Sequence, residues 1–141
     1  MTIVQWLLLP AFIHVAWVYV IAVRMGAAKQ RDVREGHVKI GDVSLDNSRW
    51  SENTRKLNNN YNNQFELPVF FYAILPLLLM MVKVDWLQVT LAWVFVASRI
   101  LHSILHTGSN IVMQRGGAFM IGFVAIGLMW LWFGLRLYVI G

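Results

Sequence analysis

Residues 2–23 contain no Asp, Glu, Lys or Arg, and the run closes on Arg24. As an α-helix it would be about 33 Å long, enough to cross a hydrocarbon core of about 30 Å. Further largely apolar runs occupy about 65–82, 86–106 and 117–140. The expectation is an all-α integral membrane protein, a bundle of four transmembrane helices. Only 13% of the residues are charged, roughly half the share in a soluble domain, so most of this chain does not face water. A length of 141 residues suits one domain, with spans at about 2–24, 62–82, 86–106 and 117–140 and a loop at about 25–60. The first run lacks a preceding basic region and is too long for a signal-peptide core, so it reads as a retained helix.

Charge is unevenly placed. The segment 24–61 holds eight of the twelve Lys and Arg residues and five of the seven acids. That pattern fits a loop beside anionic headgroups better than a nucleic-acid groove, and no nucleic-acid partner is expected. The basic bias puts the 25–60 loop in the cytoplasm, with both termini on the other side. Within it, residues 27–35 are able to prolong the first helix, and 37–45 alternate apolar and polar as a short extended stretch would. The chain has no cysteine, which excludes disulfides, thiolate nucleophiles of its own and cysteine metal sites.

Details inside the spans carry more information. Pro10, Pro68 and Pro76 fall within helical runs and mark kinks whose freed carbonyls need new donors. His14 is the one titratable side chain of the first span, and a hydrogen bond between helices is its expected role. The short 83–85 turn makes the second and third spans antiparallel neighbours. Ala118, Gly122 and Ala125 form a strip of small residues that lets another helix approach closely.

The polar stretch 58–66 leads straight into the second span. On a helix Asn59, Asn62, Asn63 and Glu66 share one face. An acid at the edge of a span is costly unless it is paired or wet, which marks Glu66 as a functional candidate; helix capping is the plainer alternative. Arg99, His102 and His106 share a face near the end of the third span, and Asn110 and Arg115 follow. Arg99 is the expected bidentate partner of Glu66. That pair alone could merely fix register, but it leaves the histidines, Arg115 and the asparagine row unexplained. Such donors and acceptors suit a small, multiply charged ligand beside an apolar co-substrate.

Asn63-Gln64-Phe65-Glu66-Leu67-Pro68, with Arg99-x-x-His102, His106 and Arg115 in a four-span chain, resembles the membrane-associated proteins in eicosanoid and glutathione metabolism, the MAPEG family, as a bacterial-type member. The resemblance covers nearly the whole chain. It implies a homotrimer of four-helix subunits, with glutathione as co-substrate held between neighbours near the cytoplasmic side. By this resemblance Asn63 and Glu66 touch glutathione, Arg99 and His102 line the pocket, and His106 stands where eicosanoid enzymes often carry a tyrosine. Arg115 matches the arginine that holds the sulfur as thiolate, the catalytic assignment. Asn59 departs from the pattern, replacing a ligand-binding arginine that Arg55 or Lys56 could supply from a turn further back. Leu67 departs too, following Glu66 where some relatives place an aromatic ring.

The preferred reading is therefore a membrane-bound, glutathione-dependent transferase or peroxidase acting on hydrophobic electrophiles, in a bacterial inner membrane. Its binding residues are Arg55, Asn59, Asn62, Asn63, Glu66, Arg99, His102 and His106. The alternative is a non-catalytic subunit of the same scaffold that binds lipid or a partner protein. A metal held by His102, His106 and Glu66 is the third reading; Arg99 on the same face repels a cation, so no metal site is assigned.

Overall fold

The first helix starts from a reciprocal cap. Thr2 Oγ1 accepts the Gln5 N–H at 3.3 Å and Gln5 Oε1 accepts the Thr2 N–H at 2.7 Å, which satisfies two donors at the helix end. From there α1 runs unbroken through Ile3–Arg34, past the end of the apolar run. The computed structural model describes residues 1–43 and 46–140. Four further α-helices follow: α2 (Glu52–Asn63), α3 (Pro68–Met80), α4 (Trp86–Thr107) and α5 (Val112–Tyr138). Four helical stretches are long and apolar enough to cross a membrane, the second being α2 and α3 taken together.

Pro10 does not break α1. A proline there removes the donor that would serve the Trp6 carbonyl, four residues back. The Trp93 indole of α4 fills the gap, donating to Trp6 O at 3.2 Å, and the two indoles lie 6.3 Å apart. Trp93 thereby ties α1 to α4, where its type alone suggests an interface anchor.

The second span is a compound element. Pro68 removes the N–H that would bond the Gln64 carbonyl, and the chain tightens into a turn over 64–67. Gln64 N–H and Phe65 N–H bond carbonyls only three residues back, at Tyr61 and Asn62. The result is a polar helix, α2, stacked in sequence before an apolar one, α3.

α4 is the axis of the bundle. Over its most apolar stretch 56% of residues are buried, against 22–33% for the other spans, so the others form the lipid-facing shell. It packs chiefly on α5 and next on α1 and α2. Phe71 of α3 meets Phe95 of α4 at 4.8 Å. Ala118, Gly122 and Ala125 face inward, and a Cβ on Gly122 would stand 2.5 Å from Ser98 Oγ, so the small-residue strip serves α4–α5 packing within the chain. Phe12, Val69 and Phe123 remain exposed, as lipid contact requires.

At the end opposite the α4 histidines, Asp85 caps α4 by accepting the Gln88 N–H at 2.9 Å. The same carboxylate accepts from Trp132 Nε1 at 2.8 Å and Arg136 Nη1 at 2.6 Å, fastening α4 to the end of α5. Burial by itself pushes the Asp85 carboxyl up, but the Gln88 N–H, Trp132 and Arg136 outweigh it and hold it below the usual carboxylate range.

The alternation at 37–45 misleads. Ile40–Val43 is a single 3-10 turn and Asn47–Arg49 another; Ser44 and Leu45 of that stretch lie outside the described residues. The reason is tethering: buried Asp32 accepts the Ser51 N–H at 3.1 Å and Lys29 lies over the Trp50 ring at 5.6 Å. The loop folds back on the extended part of α1, and among the described residues there is no strand for it to pair with.

Candidate functional site

The ends of α2 and α4 and the start of α5 meet at one end of the bundle. Main-chain carbonyls at the close of a helix lack intrahelical donors and carry the negative end of its dipole. Arg99 meets that need at α2: its Nη2 donates to Asn63 O at 2.9 Å. The side chain is fully buried, with its guanidinium 5.6 Å from the Phe119 ring. Nε and Nη1 have no partner within the chain.

One turn along α4, His102 Nδ1 lies 2.9 Å from Arg115 O. A carbonyl can only accept, so Nδ1 carries the proton and Nε2 is left as the orphan. His106 stacks on His102, with ring centroids 5.8 Å apart and planes at 17°, and its Nδ1 is also buried without a partner. Arg115 lies in the first turn of α5, which begins earlier than the apolar pattern suggests. Its Nη1 donates to Asn110 Oδ1 at 2.8 Å, and Asn110 itself sits at φ 52°.

The α2 residues divide between two faces. Arg55, Asn59, Asn62 and Glu66 are exposed and Asn63 is half-buried, whereas Asn60 and Gln64 are buried. The expected Glu66–Arg99 ion pair is therefore absent: Glu66 points outward, and Arg99 is spent on a backbone carbonyl. The principal cavities among the described residues lie elsewhere, and neither Glu66 nor Arg115 lines them. Among the described residues no three His, Asp or Glu side chains converge as metal ligands, so His102, His106 and Glu66 do not come together as the third reading requires.

Beneath the site runs a hydrogen-bonded chain that the sequence reading did not find. Tyr72 O–H donates to His14 Nδ1 at 2.7 Å, and His14 Nε2–H donates to Gln64 Oε1 at 3.2 Å. Gln64 Nε2 donates to Asn60 O at 3.0 Å and Asn60 Oδ1 at 3.2 Å. Asn60 Nδ2 donates to Ser103 Oγ at 2.7 Å. Because Gln64 Nε2 must donate to two acceptors, its oxygen faces His14, and that fixes the imidazole tautomer. The chain links α3, α1, α2 and α4, and it gives His14 the interhelical role expected of it. Asn60 and Gln64 are four residues apart, a spacing that could have pointed to a second, inward polar face.

Fold and site together define a four-span helical membrane protein with a buried arginine and two buried histidines gathered near one end of the bundle. The model of the MAPEG family matches residues 7–135, and the chain belongs to that family. Comparison with curated proteins and with solved structures returned no match.

Proposed function

We propose that this chain is a membrane-bound, glutathione-dependent transferase or peroxidase for hydrophobic electrophiles, acting as a homotrimer with its sites between subunits. The observation that carries this reading is the set of buried, unpartnered nitrogens: Arg99 Nε and Nη1, His102 Nε2 and His106 Nδ1. Buried polar atoms without partners are rare, and each calls for a reason. A peptide bearing two carboxylates, two amides and an amine offers acceptors and donors for all of them. Family membership supports the same ligand.

In this reading Glu66 engages the amino group, and Asn59, Asn62 and Asn63 address the peptide from the outward face of α2. Arg55 takes a carboxylate. Arg99, His102 and His106 supply donors and an acceptor from α4. An outward stripe with an unpaired acid beside a membrane favours a neighbouring subunit as its cover. The 25–60 loop, with its basic excess, is placed on the cytoplasmic side of a bacterial inner membrane.

Arg115 is assigned the thiol. A thiol with pKa about 8.5 is mostly protonated at neutral pH, and a nearby cation favours the anion. At about 4 Å and an effective dielectric near 20, the attraction is about 4 kcal/mol before desolvation. The thiolate attacks an electrophilic carbon, a C–S bond forms, and the leaving group departs with its bonding pair. Arg115 is the only one of these residues asked to act on the reacting atom.

The test is conjugation of a chlorinated nitrobenzene with glutathione by purified protein, with chloride release. Arg115→Ala should abolish the thiolate absorbance of bound glutathione while the oligomer persists. No turnover and no glutathione-dependent thermal shift would overturn the proposal. That outcome would favour a non-catalytic subunit binding lipid or a partner protein, a reading supported by Asn59 and by the Arg115–Asn110 hydrogen bond.

A further inference from the structure

The part of α1 beyond the apolar run carries a feature that the glutathione reading does not use. Arg24 and Arg31 are seven residues apart, about two turns, so they lie on nearly the same side of α1; Arg34 follows one turn later. With Ala27 and Ala28 between them and Asn53 and Leu57 of α2 opposite, they line a groove of about 360 Å³. Among the described residues no acid pairs with any of the three arginines. The nearby acids are engaged elsewhere: Asp32 with Ser51 and His37, Glu35 with His37, and Glu52 with Lys56 at 2.7 Å. The groove is cationic and uncompensated.

We propose that this groove binds the phosphate of an anionic phospholipid in the leaflet at this end of the bundle. Its position favours a lipid over a free anion. Arg24 marks the hydrocarbon boundary, and Arg31 stands about 10 Å further along the helix; helical side chains tilt toward the N-terminus, here the membrane side, which brings the long Arg31 side chain back toward a headgroup layer of about 5–7 Å. The two alanines leave room between the guanidinium groups, and Asn53 adds an amide. Below the groove, Val20 and Val23 are exposed on α1, one turn before Arg24 and Ala27, and offer an apolar track for an acyl chain.

The test uses the full chain in detergent micelles doped with phosphatidylglycerol or phosphatidylcholine, read by thermal unfolding without glutathione. Phosphatidylglycerol should raise the midpoint and phosphatidylcholine should not. In the double variant Arg31→Gln, Arg34→Gln, half-maximal protection should need about 25-fold more phosphatidylglycerol, about fivefold for each charge removed. Both side chains are exposed, so the variant keeps its fold, which circular dichroism checks. The proposal fails if both lipids protect equally or if the double variant responds like the parent. It also fails if Lys39→Gln, Lys83→Gln loses protection to the same degree, because those charges lie outside the groove. Equal protection by inorganic phosphate would replace the lipid with a free anion and overturn the assignment as well. Since no arm contains glutathione, failure here leaves the conjugation assay untouched.

Discussion

Arg99 Nη2 donates to the main-chain oxygen of Asn63 at 2.9 Å, so a guanidinium buried in a bundle of apolar helices closes the end of α2 and makes no direct ion pair with Glu66. This arrangement sets the stability of Arg99 variants against their ligand binding. Removing the cation loses one hydrogen bond but also relieves the desolvation of two orphaned guanidinium nitrogens. Arg99→Met should unfold within about 1 kcal/mol of the parent and yet lose its glutathione-dependent thermal shift. Arg99→Ala, which also empties volume, should cost about 3 kcal/mol. Thermal unfolding with and without glutathione separates the two effects.

The buried chain from Tyr72 to Ser103 should behave as a unit. His14→Phe strands the Tyr72 hydroxyl and Gln64 Oε1, and buried groups left unpaired cost about 1–3 kcal/mol each. A loss of about 3 kcal/mol is expected in denaturant unfolding. Adding Tyr72→Phe removes one stranded group, so the double variant should be less destabilised than the sum of the singles, with a coupling of about 1 kcal/mol.

Asp85 supplies a pH dependence. Its folded pKa lies below the usual value, so its ionised form stabilises the fold. That contribution is complete above the unfolded pKa of about 4 and fades as pH falls through the lower folded value. Asp85→Asn keeps the helix cap but loses the charge facing Arg136. The variant should be less stable by about 1–2 kcal/mol at neutral pH, and the gap should narrow as pH falls below about 4. Midpoints of both proteins measured across that range check the sign.

Val82 sits at φ 52° in the turn after α3, where Lys83 N–H bonds Leu78 O at 2.9 Å. A β-branched residue in left-handed backbone is unfavourable, and glycine is the usual occupant of such a helix stop. Val82→Gly should stabilise the protein by about 0.5–1 kcal/mol, whereas Met81→Gly, at φ −89°, should not. Parallel thermal melts distinguish them.

The apolar runs were legible because lipid permits few alternatives: a span must satisfy its own backbone, and only a helix does so within one segment. The meeting of Asn63, Arg99, His102 and Arg115 near one boundary followed from span order. The partners did not. Charge suggests that Glu66 answers Arg99, but Pro68 and the end of α2 create carbonyls that need a donor, and sequence does not rank a backbone acceptor against a carboxylate. Gln64 hid for a similar reason, since it looks like one more residue of a polar tract until its amide is seen to bridge His14 and Asn60. The 37–45 stretch misled because alternation implies a strand only where another strand is available.

The turn at 64–67 also separates rotational phase along the second crossing. Inserting or deleting one residue in α2 would swing its exposed asparagines by about 100° around the axis while leaving the apolar half after Pro68 seated as before. Ligand preference and membrane anchoring could therefore diverge independently along a single crossing.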